Sequence, residues 1–250
     1  MNLSGWPFRA DLAGDPKAGT PARLTLDLHQ PADPNERAVL EYVIETWAEL
    51  ANVGGWGGDQ VAPDAGRADF AGPSIAAAGA SRLSWDFKQL AIDPRAVLGL
   101  LNAVDFALRS KVRAVWVQCS GSDPQGLSFD RDALPPLWPQ LGFAIDDDRT
   151  SASVEVHVTF VDEQTDLERA LASLQLWLDA AATCAFRDPD AKPEHGFLLP
   201  VEHEGWVVEA GVALVYLEDS GVVEGAYDAL LNVVQAIHDT FAPIRSVEVF

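Results

Sequence analysis

The sequence predicts an α+β protein: a tandem pseudo-repeat of two ferredoxin-like (βαββαβ) units with antiparallel sheets. Three observations lead there. Segments alternating apolar and polar residues read as strands, segments with apolar residues at 3.6-residue spacing read as helices, and their order recurs on either side of a proline-containing joint. With 250 residues and 48% apolar content, the chain can bury two cores of roughly 110–120 residues each. The expected boundaries are an N-terminal arm at 1–21, a first half at 22–122, a packed connector at 123–150 and a second, acidic half at 151–250.

The arm is rich in Gly, Pro and Ala and has no periodicity, so it reads as irregular, with Trp6 and Phe8 as anchors onto the body. From Arg23 to His29, Leu24, Leu26 and Leu28 alternate with Arg23, Thr25, Asp27 and His29, the pattern of a half-buried strand. Asp33, Pro34 and Glu36 supply an N-cap, a proline at the first helical position and an acid in the first turn. Val39, Leu40, Val43, Ile44, Trp47 and Leu50 then follow at helical spacing toward a stop near Gly54. Residues 54–80 read as a loop with an edge strand. Leu83, Trp85 and Phe87 mark the next strand, Asp93-Pro94 opens a second helix, and Val112–Cys119 reads as the closing strand.

The connector contains Pro135, Pro136 and Pro139, yet Phe129, Leu134, Leu137, Trp138, Leu141 and Phe143 make it too apolar for a free linker. It is expected to pack across the body. In the second half Val154, Val156, Val158 and Phe160 alternate with Glu155, His157 and Thr159. Thr165 and Glu168 suggest a capping box ahead of Leu167, Leu171, Leu174, Trp177 and Leu178. Residues 197–203 and 206–217 read as a hairpin turning near Glu204-Gly205. A helix from Val223 to Phe241 and a strand from Ser246 to Phe250 complete the repeat, which lies in pattern and not in residue identity.

Charge is the strongest compositional signal. The net −21 divides into −3 over residues 1–122, −4 over 123–150 and −14 over 151–250. Such a field repels nucleic acid and anionic membrane and attracts basic proteins or cations; an equally simple reading is that it keeps the protein soluble. No apolar run approaches a membrane span, the first residues carry no signal-peptide pattern, and the two cysteines, Cys119 and Cys184, make no disulfide framework. A cytoplasmic protein is expected.

No nucleophile elbow, P-loop, dinucleotide fingerprint or H-E-x-x-H helix occurs. The first strand of each half does carry an acid and a histidine two residues apart, Asp27 with His29 and Glu155 with His157, so each pair shares one sheet face. Asp86, Lys88 and Trp116 are placed on the same face in the first half, and Glu209 and Glu248 in the second. Such pairs could ligate a metal or serve acid–base chemistry, or simply be solvated positions. Trp56, within Gly54-Gly55-Trp56-Gly57-Gly58, either folds back after a glycine helix stop or anchors a partner.

The acidic stretches Glu194–Glu209 and Glu218–Glu224, the glycine-flanked Trp56 and the lack of catalytic motifs together resemble bacterial immunity proteins of polymorphic toxin systems. That resemblance implies a cytoplasmic, acidic α+β protein that blocks a basic toxin. Partner-binding candidates are Trp56, Glu202, Glu204, Glu209, Asp146, Asp147 and Asp148, with no cofactor, nucleic acid or membrane involved. The alternative is an α+β-barrel-like enzyme or metal or cofactor binder using Asp27, His29, Glu155 and His157 in a pocket between the sheets. A structural subunit that self-associates through a sheet edge is a third reading.

Overall fold

The computed structural model describes residues 2–3, 6–56, 68–73, 80–108, 111–120, 144–147, 154–161, 166–183, 186, 205–217, 224–240 and 242–250. They form a mixed α+β fold of four helices and two sheets. Strands β1 (Asn2–Leu3), β2 (Arg9–Ala13), β3 (Thr20–Leu28), β4 (Ala68–Pro73), β5 (Arg82–Leu90) and β6 (Val112–Cys119) make the first sheet, in the order β1-β2-β6-β3-β5-β4. Strands β7 (Ala144–Asp147), β8 (Val154–Phe160), β9 (Val207–Glu209), β10 (Val212–Leu217) and β11 (Ile244–Val249) make the second, in the order β7-β11-β8-β10-β9.

Helices α1 (Pro34–Asn52) and α2 (Pro94–Leu108) belong to the first half, α3 (Leu167–Ala182) and α4 (Glu224–Thr240) to the second. Helix α1 packs on α2, α3 on α4, and α1 on α3. The helices therefore lie between the two sheets. Each sheet buries one face against them: Leu24, Leu26 and Leu28 of β3 and Val156 and Val158 of β8 are fully buried, while Arg23 and Glu155 on the opposite faces are exposed.

The start of α1 is the one the sequence predicts. The Asp33 side chain accepts from Glu36 N at 3.0 Å and Glu36 Oε2 accepts from Asp33 N at 2.8 Å, a reciprocal capping box with Pro34 at the first turn. Lys111 also bonds Glu36, and these contacts hold the Glu36 carboxyl below its ordinary range. The helix stops where expected, with Gly54 at φ +88° in the left-handed region.

Each half contains one helix-to-helix tryptophan bond. Trp47 Nε1 donates to Ala96 O at 2.8 Å, and Trp177 Nε1 donates to Ala226 O at 2.7 Å. In both cases the acceptor lies 49 residues after the tryptophan and in the first turn of the following helix. The two bonds thus share donor type, acceptor type and sequence spacing.

Four expectations are corrected. The arm is not irregular: β2 runs parallel to β6, and Trp6 Nε1 donates to Asn102 Oδ1 at 3.0 Å while Phe8 is buried. Its strand carries only two buried side chains, Ala10 and Leu12, too few to register as alternation. Within the connector, β7 runs parallel to β11, so neither sheet is purely antiparallel; the other connector residues lie outside those described. The α3 cap is Asp166, which accepts from Arg169 N at 3.3 Å, and Thr165 lies outside the described residues.

Finally, the second-half hairpin turns at Ala210-Gly211, between the paired residues Glu209 and Val212, and not at Glu204-Gly205. Residues 197–203 lie outside the description. Both turn residues have positive φ, 48° for Ala210 and 81° for Gly211, as a two-residue turn matched to strand twist requires. Alanine is poorly suited to that conformation, which costs an L residue about 1–2 kcal/mol. Ala210→Asn is expected to stabilise the fold by about 0.5–1 kcal/mol, read as a raised urea midpoint at unchanged slope. A lowered midpoint would show that the turn is not held in this geometry.

Candidate functional site

Because the helices occupy the space between the sheets, the helix-free faces turn outward. The first sheet's outer face is a mosaic of paired charges. Arg9 bridges Asp11 at 2.6 Å, Arg113 bridges Asp27 at 3.3 Å, and Arg23 holds Asp86 through two nitrogens at 2.6 and 3.1 Å. Arg82 lies 5.7 Å from the ring centre of Trp116. Register puts Asp11, Trp116, Thr25 and Ser84 in one cross-strand row, and Lys88 falls on the same face, as the sequence suggests for Asp86, Lys88 and Trp116. Solvent screens exposed pairs of this kind, so their main effect is to satisfy one another's charge.

The second sheet's outer face has a different character. One row reads Val207, Leu214, His157, Glu248, and the next Glu209, Val212, Thr159, Ser246. In a third row Tyr216 stands opposite Glu155 on one side, and Phe250 stands opposite it on the other. Phe250 is fixed there by reciprocal backbone bonds, Phe250 N to Glu155 O at 3.0 Å and Glu155 N to Phe250 O at 3.2 Å. Val207, Tyr216 and Phe250 are 47%, 56% and 45% exposed. Large apolar side chains thus stand in water beside Glu155, Glu209 and Glu248.

The two acid–histidine pairs fare differently. Asp27 is engaged by Arg113, and His29 lies exposed just past the end of β3, its backbone N–H bonded to Lys111 O. Glu155 and His157 do come together: Nε2 of the ring donates to Glu155 Oε1 at 2.7 Å, and the ring meets Phe250 edge-on at 5.2 Å. Among the described residues no three His, Cys, Asp or Glu side chains are grouped to hold a metal ion. The two pairs sit on faces directed away from each other, so they share no pocket between the sheets.

Trp56 is inside the protein. It is 6% exposed, its Nε1 donates to Trp47 O at 3.0 Å, and its ring lies 5.2 Å from that of Phe186 in the other half. An interface anchor for an outside partner would need this ring free, so Trp56 leaves the partner-binding set. Folding back after a glycine stop is legible in the sequence; contact of the ring with Phe186 of the other half is not. Glu209 is exposed on the second sheet. Asp146 and Asp147 belong to β7, paired with Glu248 and Val249, while Asp148, Glu202 and Glu204 fall outside the described residues.

Sequence reasoning passed over Tyr216 and Phe250. In β10 both faces carry apolar residues, Val212, Leu214 and Tyr216 on one and Ala213, Val215 and Leu217 on the other, so alternation does not announce which is outside. Compared with protein-family models and with curated protein sequences, the chain matches none. No helix among the described residues is long and apolar enough to cross a membrane.

Cys119 has no nucleophilic character in this setting. Burial, and secondarily the negative charge of Asp15, pushes its thiol up to about 11. Since the raised value disfavours thiolate, Cys119 in the folded chain should resist iodoacetamide at pH 8 and become reactive only as the pH nears that value. Unfolding in urea should expose it at pH 8. Peptide mass mapping resolves it from Cys184; rapid native-state labelling of Cys119 would contradict the assignment.

Proposed function

We propose that the chain is a non-enzymatic acidic binding protein that captures a basic protein partner, in the manner of an immunity protein neutralising a cognate toxin. The observation that carries this reading is the helix-free face of the second sheet, where exposed Val207, Tyr216 and Phe250 stand among Glu155, Glu209 and Glu248. Exposed aromatic and aliphatic side chains of this kind supply affinity when a partner covers them, and a surrounding excess of negative charge, in which Arg245 of β11 is an exposed cation, selects the partner and speeds encounter. The second half's net charge of −14 makes that selection favour a basic surface.

The same reading takes each half as a ferredoxin-like unit. Its support is the strand order: β6-β3-β5-β4 and β11-β8-β10-β9 both run last, first, third, second around their two helices. The parallel strands β2 and β7 each add to the last strand of their half, which makes the repeated unit one strand longer than expected. A cytoplasmic location belongs to this proposal as well, since a toxin that acts inside the cell must be met there.

The test is affinity capture from an extract of the source organism, using the chain as bait beside a variant carrying Glu155→Lys, Glu209→Lys and Glu248→Lys. The native chain is expected to retain a basic protein at low salt and lose it as salt rises. The variant should retain at least about tenfold less. Recovery of no basic protein at either salt, or equal recovery by the variant, overturns the reading.

A further inference from the structure

Within that face the row Tyr216, Glu155, Phe250 has a chemistry of its own, and the geometry points to a binding site for a single arginine side chain of the partner. This deepens the binding reading above and rests on it. Three features specify the ligand. Two exposed aromatic residues flank one carboxylate on the neighbouring strands, at the close spacing that cross-strand neighbours have. A cation lying over such rings is attracted by their π faces while its charge meets the carboxylate between them.

Second, Glu155 is held in place and only partly used. Oε1 accepts from His157 Nε2 at 2.7 Å, and His157 is itself braced edge-on by Phe250 at 5.2 Å. The carboxylate is therefore positioned before a ligand arrives, which lowers the ordering cost of binding. Oε2 remains for an incoming donor, since among the described residues the bond to His157 is the contact that the Glu155 side chain makes. Third, the flanking groups are planar. A guanidinium is planar, weakly hydrated and able to stack while donating along its edge, whereas an ammonium is a strongly hydrated point charge that cannot. The row thus suits arginine over lysine.

The first sheet provides a comparison within the same molecule. There an aromatic residue, Trp116, already has a guanidinium at 5.7 Å, that of Arg82. The second sheet offers two aromatic residues and a carboxylate, with no cation–π partner among its described residues.

The experiment titrates the isotope-labelled full chain with N-acetyl-arginine methylamide at low salt and follows backbone amide signals by NMR, with the citrulline analogue as the uncharged isostere. Saturable shifts are expected at Glu155, Tyr216 and Phe250, and none with citrulline. Glu155→Gln should abolish them, and Tyr216→Ser should weaken binding about two- to fivefold. Glu168→Gln, which removes the same charge from an exposed position on α3 away from this face, should leave the affinity within about twofold. Because the substituted side chains are exposed, the spectra themselves report that each variant is folded.

Shifts that rise linearly without saturating, that appear equally with citrulline, or that survive Glu155→Gln overturn the arginine site. The outcome is separable from that of the capture experiment. Failure here with capture still dependent on the acidic face removes the site and leaves the binding reading, whereas capture by the charge-reversed variant removes the binding reading whatever arginine does.

Discussion

The contact on which the rest of the molecule depends is the packing of one helix layer on the other, with Trp56 and Phe186 meeting across it at 5.2 Å. Gly54 permits that approach, and Gly55 lets the chain fold back closely against the end of α1. A Cβ on Gly54 would stand 3.1 Å from Ala236 of α4, and one on Gly55 would collide with Leu50 at 2.5 Å; Asn232 of α4 reaches the Gly55 carbonyl at 3.4 Å. Burying large aromatics and pairing them contributes several kcal/mol, of which the ring pair itself supplies about 0.5–1.5. The consequence is architectural. With α1 buried on both its sheet side and its α3 side, the outer faces of the two sheets become the broad surfaces open to a partner.

These outer faces have opposite electrostatic character. The first carries Arg9, Arg23, Arg82, Lys88 and Arg113 against Asp11, Asp27 and Asp86, a local excess of cations in a chain of net charge −21. Its ion pairs close on one another and leave little charge to offer. On the second face, Glu155, Glu209 and Glu248 stand beside exposed apolar groups. Charge alone would be a solubility device, and apolar exposure alone an aggregation hazard; their coincidence on one face is what argues for a partner.

Much of the fold was legible because local rules set it. Asp33-Pro34 with Glu36 announced α1, Asp93-Pro94 announced α2, and alternation marked β3, β5 and β8, with Glu155 and His157 on one face. Where the sequence misled, long-range structure had decided. Strand β2 forms because β6 offers a parallel edge, which no property of Arg9–Ala13 reveals. The turn at Ala210-Gly211 uses a residue that turn statistics disfavour, so Gly205 looked the better corner. Trp56 could be read as buried or as an anchor, and only the approach of α4 and Phe186 decided between them. The aromatic neighbours of Glu155 likewise come from strands 60 or more positions away in sequence, fixed by register alone.

The central claim is that the partner covers the outer face of the second sheet. Hydroxyl-radical footprinting of the chain alone and in complex with its captured partner tests it most directly, because the protein carries its own controls. Tyr216 and Phe250 are exposed on that face, while Tyr42 and Phe106 are exposed on helices at 52% and 37%. Oxidation of Tyr216 and Phe250 should fall sharply in the complex, with Tyr42 and Phe106 unchanged. Protection of Tyr42 and Phe106 with Tyr216 and Phe250 still oxidised would contradict the account and move the interface to the helices.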